Sequence, residues 1–378
     1  MKLLIGGDIV PTASNQEYFI TGDMEKIIGK RLRHLLSEAD FSVFNLEAPL
    51  TDERTPILKS GPALSVQTGA AHGLYIVNPY FFTLANNHIM DQGEQGLRST
   101  MEILDRYKIR FGGVGKNAKE AREPYIYERE GRKIGIYCCS EYEFSIAGSS
   151  TPGANWFDPL ESPDDITRLK ENCDYVLVLY HAGKEYYRYP SPNLQKVCRK
   201  MVDKGADVVV CQHSHCVGCE ERWQKGVIVY GQGNFLFDYS DHECWKTGIL
   251  VELVIDEKGL NVKYHAVTKI QNGVEAMDEM SILDGFAERS KQISEEGMIE
   301  KLYSDFSERK LIDYEMAMLG RLGRNYFFRG LNKLLKHRLA KMFYTRQMKA
   351  VLWNYITCEA HREIFLEGLS RSWKRDKG

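Results

Sequence analysis

Five strand-like apolar runs in the first 215 residues each stop at side chains able to hold a metal ion. Residues 3–6 lead to Asp8, and residues 41–44 lead to Asn45-Leu46-Glu47. Residues 80–85 lead to Asn86-Asn87-His88, residues 175–180 to His181, and residues 206–211 to His213-x-His215. Chains that alternate such strands with helices form open α/β sheets, and those sheets place their chemistry at the carboxyl ends of the strands. On one sheet system the tips would gather two carboxylates, an amide and four imidazoles along one edge. Each residue has a plainer reading by itself. Asp8 suits a turn, Glu47 a solvated edge, and His181 a hydrogen-bonded core position. Five such endings together favour a metal site.

The stretch from Leu84 to Gly93 carries the most chemistry. Its strand stops at Asn86, Asn87 and His88, and Gly93 and Gly96 open a helical pattern, Leu97, Met101, Leu104. An amide and an imidazole suit a metal of borderline preference, and Asp91 is placed to orient the imidazole. His213 and His215 are two apart, so strand alternation would put both rings on one face, within reach of adjacent ions. Two other motifs lead nowhere. Cys216-Val217-Gly218-Cys219 has no second cysteine pair, and Gly231-Gln232-Gly233 lacks the third glycine and helix of a dinucleotide fingerprint.

Strand signals end near residue 275, which predicts an α/β domain over 1–270 and a helical region over 271–378. The proline- and glycine-containing loop 48–66 is long enough to be functional or mobile. The net charge of −2 is unevenly spread: residues 321–350 hold nine Lys and Arg and no Asp or Glu. With Leu331, Leu334, Leu335, Leu339, Met342 and Phe343 at helical spacing, this reads as a basic amphipathic helix. It would pack on the acidic remainder of the chain or rest on an anionic membrane surface or polymer. No run approaches the roughly 18 apolar residues of a membrane span, and the start is too short in apolar residues for a signal peptide. Nine cysteines, mostly within apolar runs, fit reduced thiols. The expectation is a cytoplasmic protein, with peripheral membrane contact as the lesser alternative and no nucleic-acid partner. Oligomeric state is open.

These blocks, in order, resemble the CapA-like family of poly-γ-glutamate capsule biosynthesis proteins, within the calcineurin-like metallophosphoesterase superfamily. The matching residues are Gly-Gly-Asp8, Asn45-Leu46-Glu47-Ala-Pro, Ala85-Asn-Asn-His88-x-x-Asp91-x-Gly, Gly113-Val-Gly115, His181-x-Gly183-x-Glu185-Tyr, Asp207-Val-Val-Val-x-x-His213-Ser-His215 and Gly231-Gln-Gly-Asn234-Phe235. The resemblance covers about residues 1–255 and leaves the C-terminal third unmatched. It implies a four-layer α/β/β/α sandwich with a divalent-metal site of one or two ions at the strand ends, and the mixed carboxylate, amide and imidazole donors suit Mn, Fe or Zn. Asp8 and His215 would serve one ion, Asn87, His181 and His213 the other, with Glu47 bridging. His88 would protonate a leaving group, oriented by Asp91. The superfamily's first block reads Asp-x-His, whereas this chain reads Asp8-Ile9-Val10. Asn45 compensates, or that ion is weak or absent. Lys59, Lys184, Glu185, Arg188 and Asn234 would face an anionic small molecule or polymer. Phosphoester hydrolysis is the leading activity. Cleavage or transfer at a γ-glutamyl amide, and a non-catalytic polymer-binding or assembly role, are the alternatives.

Overall fold

The computed structural model describes residues 1–78, 80–277, 280–335 and 337–375. Its contacts divide the chain into two units, Met1–Glu300 and Lys301–Gly378.

The first unit is built on two stacked sheets. The spatial order of one is Gly273–Ala276, Gly259–Ile270, Thr247–Asp256, Lys2–Ile9, Phe41–Leu46, Phe81–Thr83, Arg110–Gly112, with Asn234–Leu236 also paired to Lys2–Ile9. The order of the other is Glu220–Trp223, Gly226–Tyr230, Val208–His213, Tyr175–Ala182, Arg132–Ser140, Tyr125–Arg129. Successive side chains of a strand point to opposite faces, and here both faces are covered. Leu3, Ile5, Val43 and Phe81 meet Leu177, Leu179, Val208 and Val210 between the sheets. Leu4, Phe44 and Phe82 turn outward onto Leu32, Leu74, Leu97 and Leu104. Val176, Val178, Val209 and Cys211 turn outward onto Ile166, Leu169, Leu194 and Met201. Strands buried on both faces read as unbroken apolar runs. The result is the expected α/β/β/α sandwich, with a core on either side of each central sheet.

Two close approaches shape the first strand's end. A Cβ on Gly6 would lie 2.1 Å from the Phe44 ring, and one on Gly7 would lie 2.2 Å from the Gly233 carbonyl oxygen. Only glycines let the strand pass here, and its pairing with Phe41–Leu46 shifts register between Ile5 and Asp8. Asp8 thereby comes level with Asn45 and Asn234. The segment expected as a strand over 80–85 is strand only at Phe81–Thr83. The helix Met280–Gln292 lies in the first unit: Phe286 packs 4.8 Å from Tyr264, and Arg289 donates to the Gly218 carbonyl at 2.8 Å. The first unit thus extends past residue 270, where the sequence reading placed its boundary.

In the C-terminal unit the basic segment is not one amphipathic helix. It forms Arg321–Arg324, Tyr326–Leu334 and Arg338–Phe343 and runs into Arg346–Thr357. The breaks have a local cause. Asn325 and Thr345 act as N-caps, accepting from the Phe328 and Met348 backbone N–H groups, so each restarts a helix. Asn332, Ala340 and Tyr344 are buried where these helices meet. No described helix is long and apolar enough to cross a membrane.

Candidate metal centre

Asp8, Glu47, Asn87, His181, His213 and His215 come together at the strand ends of the first unit. Glu47, His181 and His213 each offer a ligand atom within 4.8 Å of one another, as do Asp8, Glu47 and His215. Glu47 is common to both groups, and all five of these side chains are buried.

The donors converge without satisfying one another. His181 Nε2 lies 3.0 Å from Asn87 Oδ1, 3.0 Å from His213 Nδ1 and 3.3 Å from Glu47 Oε1. One ring nitrogen carries at most one proton, so it cannot bond all three. Both Glu47 carboxylate oxygens are buried without a hydrogen-bond partner. A buried carboxylate left this way is costly, and coordination of a cation is the usual remedy. The residues present therefore fit a metal ion.

The electrostatics agree. Burial opposes charging Asp8, but the His215 and His181 imidazoles and the Asn45 amide together hold its carboxyl below the usual range. Burial also opposes protonating His215, yet Asp8 and Glu47 raise it to about 9. His181 is raised against its burial by Glu47 and Asp8. His213 is pushed well below the usual range by burial and by its histidine neighbours. The carboxylates thus draw positive charge onto two of the three rings.

Strand alternation does not place His213 and His215. The strand Val208–His213 ends at the first of them, and both backbones are left-handed, with φ of +82° and +53°. Such conformations cost non-glycine residues about 1–3 kcal/mol each and gather at functional sites. The turn sends His213 toward His181 and His215 toward Asp8, which it meets at 3.6 Å. His215 is backed by Trp245, ring centroids 4.4 Å apart, and its Nδ1 lies 2.9 Å from Asn234 Oδ1. Asn234, expected to face substrate, is thus engaged in orienting a histidine. Asn45 bridges the two groups: its Nδ2 donates to Asp8 Oδ1 at 2.7 Å and lies 3.2 Å from His181 Nδ1.

The second assembly is the tip that holds His88. Asp91 Oδ2 lies 2.6 Å from His88 Nδ1 and also accepts from the Leu64 N–H at 2.7 Å. Lys59 belongs to this assembly: its buried ammonium donates to Asp91 Oδ1 at 2.6 Å and to the Asn87 carbonyl at 3.2 Å. The loop that supplies Lys59 and Leu64 is therefore tied down at the site. Asn86 has a clear part that its sequence did not advertise. Its Nδ2 donates to Asn45 Oδ1 and the Leu46 carbonyl, and its Oδ1 accepts from the His88 N–H. That locks the tip to the neighbouring strand end.

Lys184, Glu185 and Arg188 stay outside the cluster. Lys184 pairs with Glu185 at 3.6 Å, both partly exposed, while Arg188 donates to the Val217 carbonyl. Sequence reasoning missed Glu141 and Glu143, which line a small cavity with Asn87, Ser140, His181 and His213. Burial raises the Glu141 carboxyl, and Glu143 lies 3.8 Å from His213 Nε2. Both follow the strand Arg132–Ser140. The same strand-end pattern that revealed His181 was available for them. Trp245 carried no comparable signal.

Residues 2–239 match the family model described as bacterial capsule synthesis protein PGA_cap. Capsule biosynthesis protein CapA of Bacillus anthracis is 29% identical over 199 residues, 50% of this chain and 47% of that protein. PGA biosynthesis protein CapA of Bacillus subtilis (strain 168) is 29% identical over 206 residues, 53% of this chain and 54% of that protein. The chain thus spans about half the length of the curated relatives it matches. A solved structure described as a novel phosphatase of Mycoplasma pneumoniae aligns over 72% of this chain and 94% of its own, with 15% identity and a TM-score of 0.46. At that score the likeness carries no functional argument.

Proposed function

The chain belongs to the bacterial capsule synthesis protein family, and from that membership and the buried cluster we propose a metal-dependent hydrolase of phosphoester or related bonds in capsule or cell-surface polymer biosynthesis. Asn87, His181 and His213 would hold one divalent ion and Asp8 and His215 a second, with Glu47 available to both groups. Carboxylate, amide and imidazole donors suit manganese, iron or zinc better than calcium or magnesium. Bound ions of this kind supply Lewis acidity and a nucleophilic water at neutral pH.

The chain's own residues set the rest. Asp91 engages His88 Nδ1, which leaves Nε2 to deliver a proton to the departing oxygen. Lys59 balances the Asp91 charge, and Asn86 fixes the His88 backbone. An amide ligand where a carboxylate would add negative charge eases the approach of an anionic substrate. The observation that carries this reading is Glu47, a buried carboxylate with both oxygens unbonded among converging donors.

The test is metal analysis of the purified protein beside hydrolysis of an aryl phosphodiester and monoester, repeated with Glu47→Gln and His88→Ala. Glu47→Gln is expected to lose metal and activity, His88→Ala activity alone. Hydrolysis that survives both substitutions sinks the proposal. Cleavage of poly-γ-glutamate without phosphoesterase activity would select the amide-bond alternative. Polymer binding by a metal-free, inactive protein would select the assembly role.

A further inference from the structure

The C-terminal unit carries apolar side chains where a water-soluble surface would carry polar ones. In the helix Tyr326–Leu334, Phe327, Leu331 and Leu334 stand at i, i+4 and i+7, one face of the helix, with exposures of 81%, 38% and 77%. Asn332 on the same helix is buried, so the apolar stripe is the side turned to solvent. Met342 and Phe343, ending Arg338–Phe343, are also exposed, as are Tyr326 and, in Arg346–Thr357, Trp353.

Cations are interleaved with these residues. Arg321, Arg324, Arg329, Lys333, Arg338, Lys341 and Arg346 are exposed, and none has a carboxylate partner among the described residues. Among the described cations of this segment, Lys349 alone is paired, to the buried Glu315 at 2.7 Å. The sequence from 321 to 350 contains no acid at all. Exposed apolar and aromatic groups alternating with unpaired cations match an anionic lipid surface: the apolar groups enter the acyl boundary and the cations sit among the headgroups. An acidic polymer would use the charges and leave Phe327, Leu334 and Met342 in water. A second copy of the chain would bring the same positive charge against itself.

We propose that residues 321–350 dock the protein peripherally onto an anionic membrane, through Phe327, Leu334 and Met342 and the exposed arginines and lysines interleaved with them in the sequence. Docking needs no metal and no catalysis, so it stands or falls apart from the hydrolase reading. Each cation near an anionic surface strengthens partitioning by roughly fivefold.

The experiment is co-sedimentation of the full chain with vesicles of phosphatidylcholine alone or with phosphatidylglycerol, at low and high salt. Light scattering of the free protein and circular dichroism of each variant accompany it. Expected is binding to the anionic vesicles only, weakened by salt. Substituting Arg329, Lys333 and Arg338 by Gln, or Phe327 and Leu334 by Ser, should each weaken binding at least tenfold while helix content stays unchanged. Equal binding to neutral vesicles overturns the proposal, as does wild-type binding by either folded variant. Binding to soluble polyglutamate but not to vesicles also overturns it. So does a dimer that Phe327→Ser dissociates.

Discussion

The two units bury their apolar residues to very different extents. Among the described residues, Met1–Glu300 exposes eleven large hydrophobic side chains and the much shorter Lys301–Gly378 exposes twenty. The first unit has three packed cores on two sheets. In the second, Ala340 and Tyr344 are the buried hydrophobic residues among those described, joined by Asn332 and Glu315 in a small polar knot. Asn332 Oδ1 accepts from the Ala340 N–H and Tyr344 donates to the Glu315 carbonyl. In the first unit, packing is tight enough to hold a strained, partly unsatisfied cluster of charges in one geometry. In the second, Tyr326–Leu334 turns an apolar stripe outward, and other helices also expose large apolar side chains. The proposed site thus sits in the region with packed cores, and the proposed docking surface in the region with exposed apolar side chains.

The comparison breaks most sharply at Glu47. Replacing it with Gln should abolish metal retention and hydrolysis together, an effect well beyond the about 10–100-fold typical of changes outside the ligands. Vesicle binding should stay as it was. Next in size, His88→Ala should cut hydrolysis by about 100- to 10,000-fold, the range of a general acid, with metal content kept. A loss of metal there would place His88 among the ligands instead.

Stability should divide the same way. Leu179→Ala, between the sheets, should cost about 2–5 kcal/mol in denaturant unfolding. Leu334→Ala, on the open face, should stay within about 0.5 kcal/mol. A large cost at Leu334 would mean that its face is covered in solution. Manganese or zinc returned to chelated protein at a hundredfold excess over its Kd should stabilise folding by about 2.7 kcal/mol. That gain should vanish in Glu47→Gln, whereas Leu334→Ala should leave it intact.

Much of this was legible from local pattern. Unbroken apolar runs signalled strands buried on both faces, and the polar residue ending each run marked Asp8, Glu47, Asn87, His181 and His213. Strand ends of an α/β fold share an edge whatever the loops between them do, so five separated segments could be assembled without coordinates. The charge run at 321–350 was equally plain. Its helices were harder to read, because Asn325 and Thr345 look like ordinary polar residues until their side chains are seen capping a new turn.

The sequence alone determined which strand-end residues would meet, since the position of each polar tip is written in the periodicity of the chain. Tertiary structure decided what each of them does there. Lys59 could have faced a substrate, yet the path of its loop commits it to Asp91. His213 and His215 part because the backbone turns left-handed, which no spacing of two residues reveals. Asn86 gained its part from Asn45 and Leu46, far away in the chain. Hydrogen bonds and backbone reversals depend on three-dimensional neighbours, and periodicity carries no record of them.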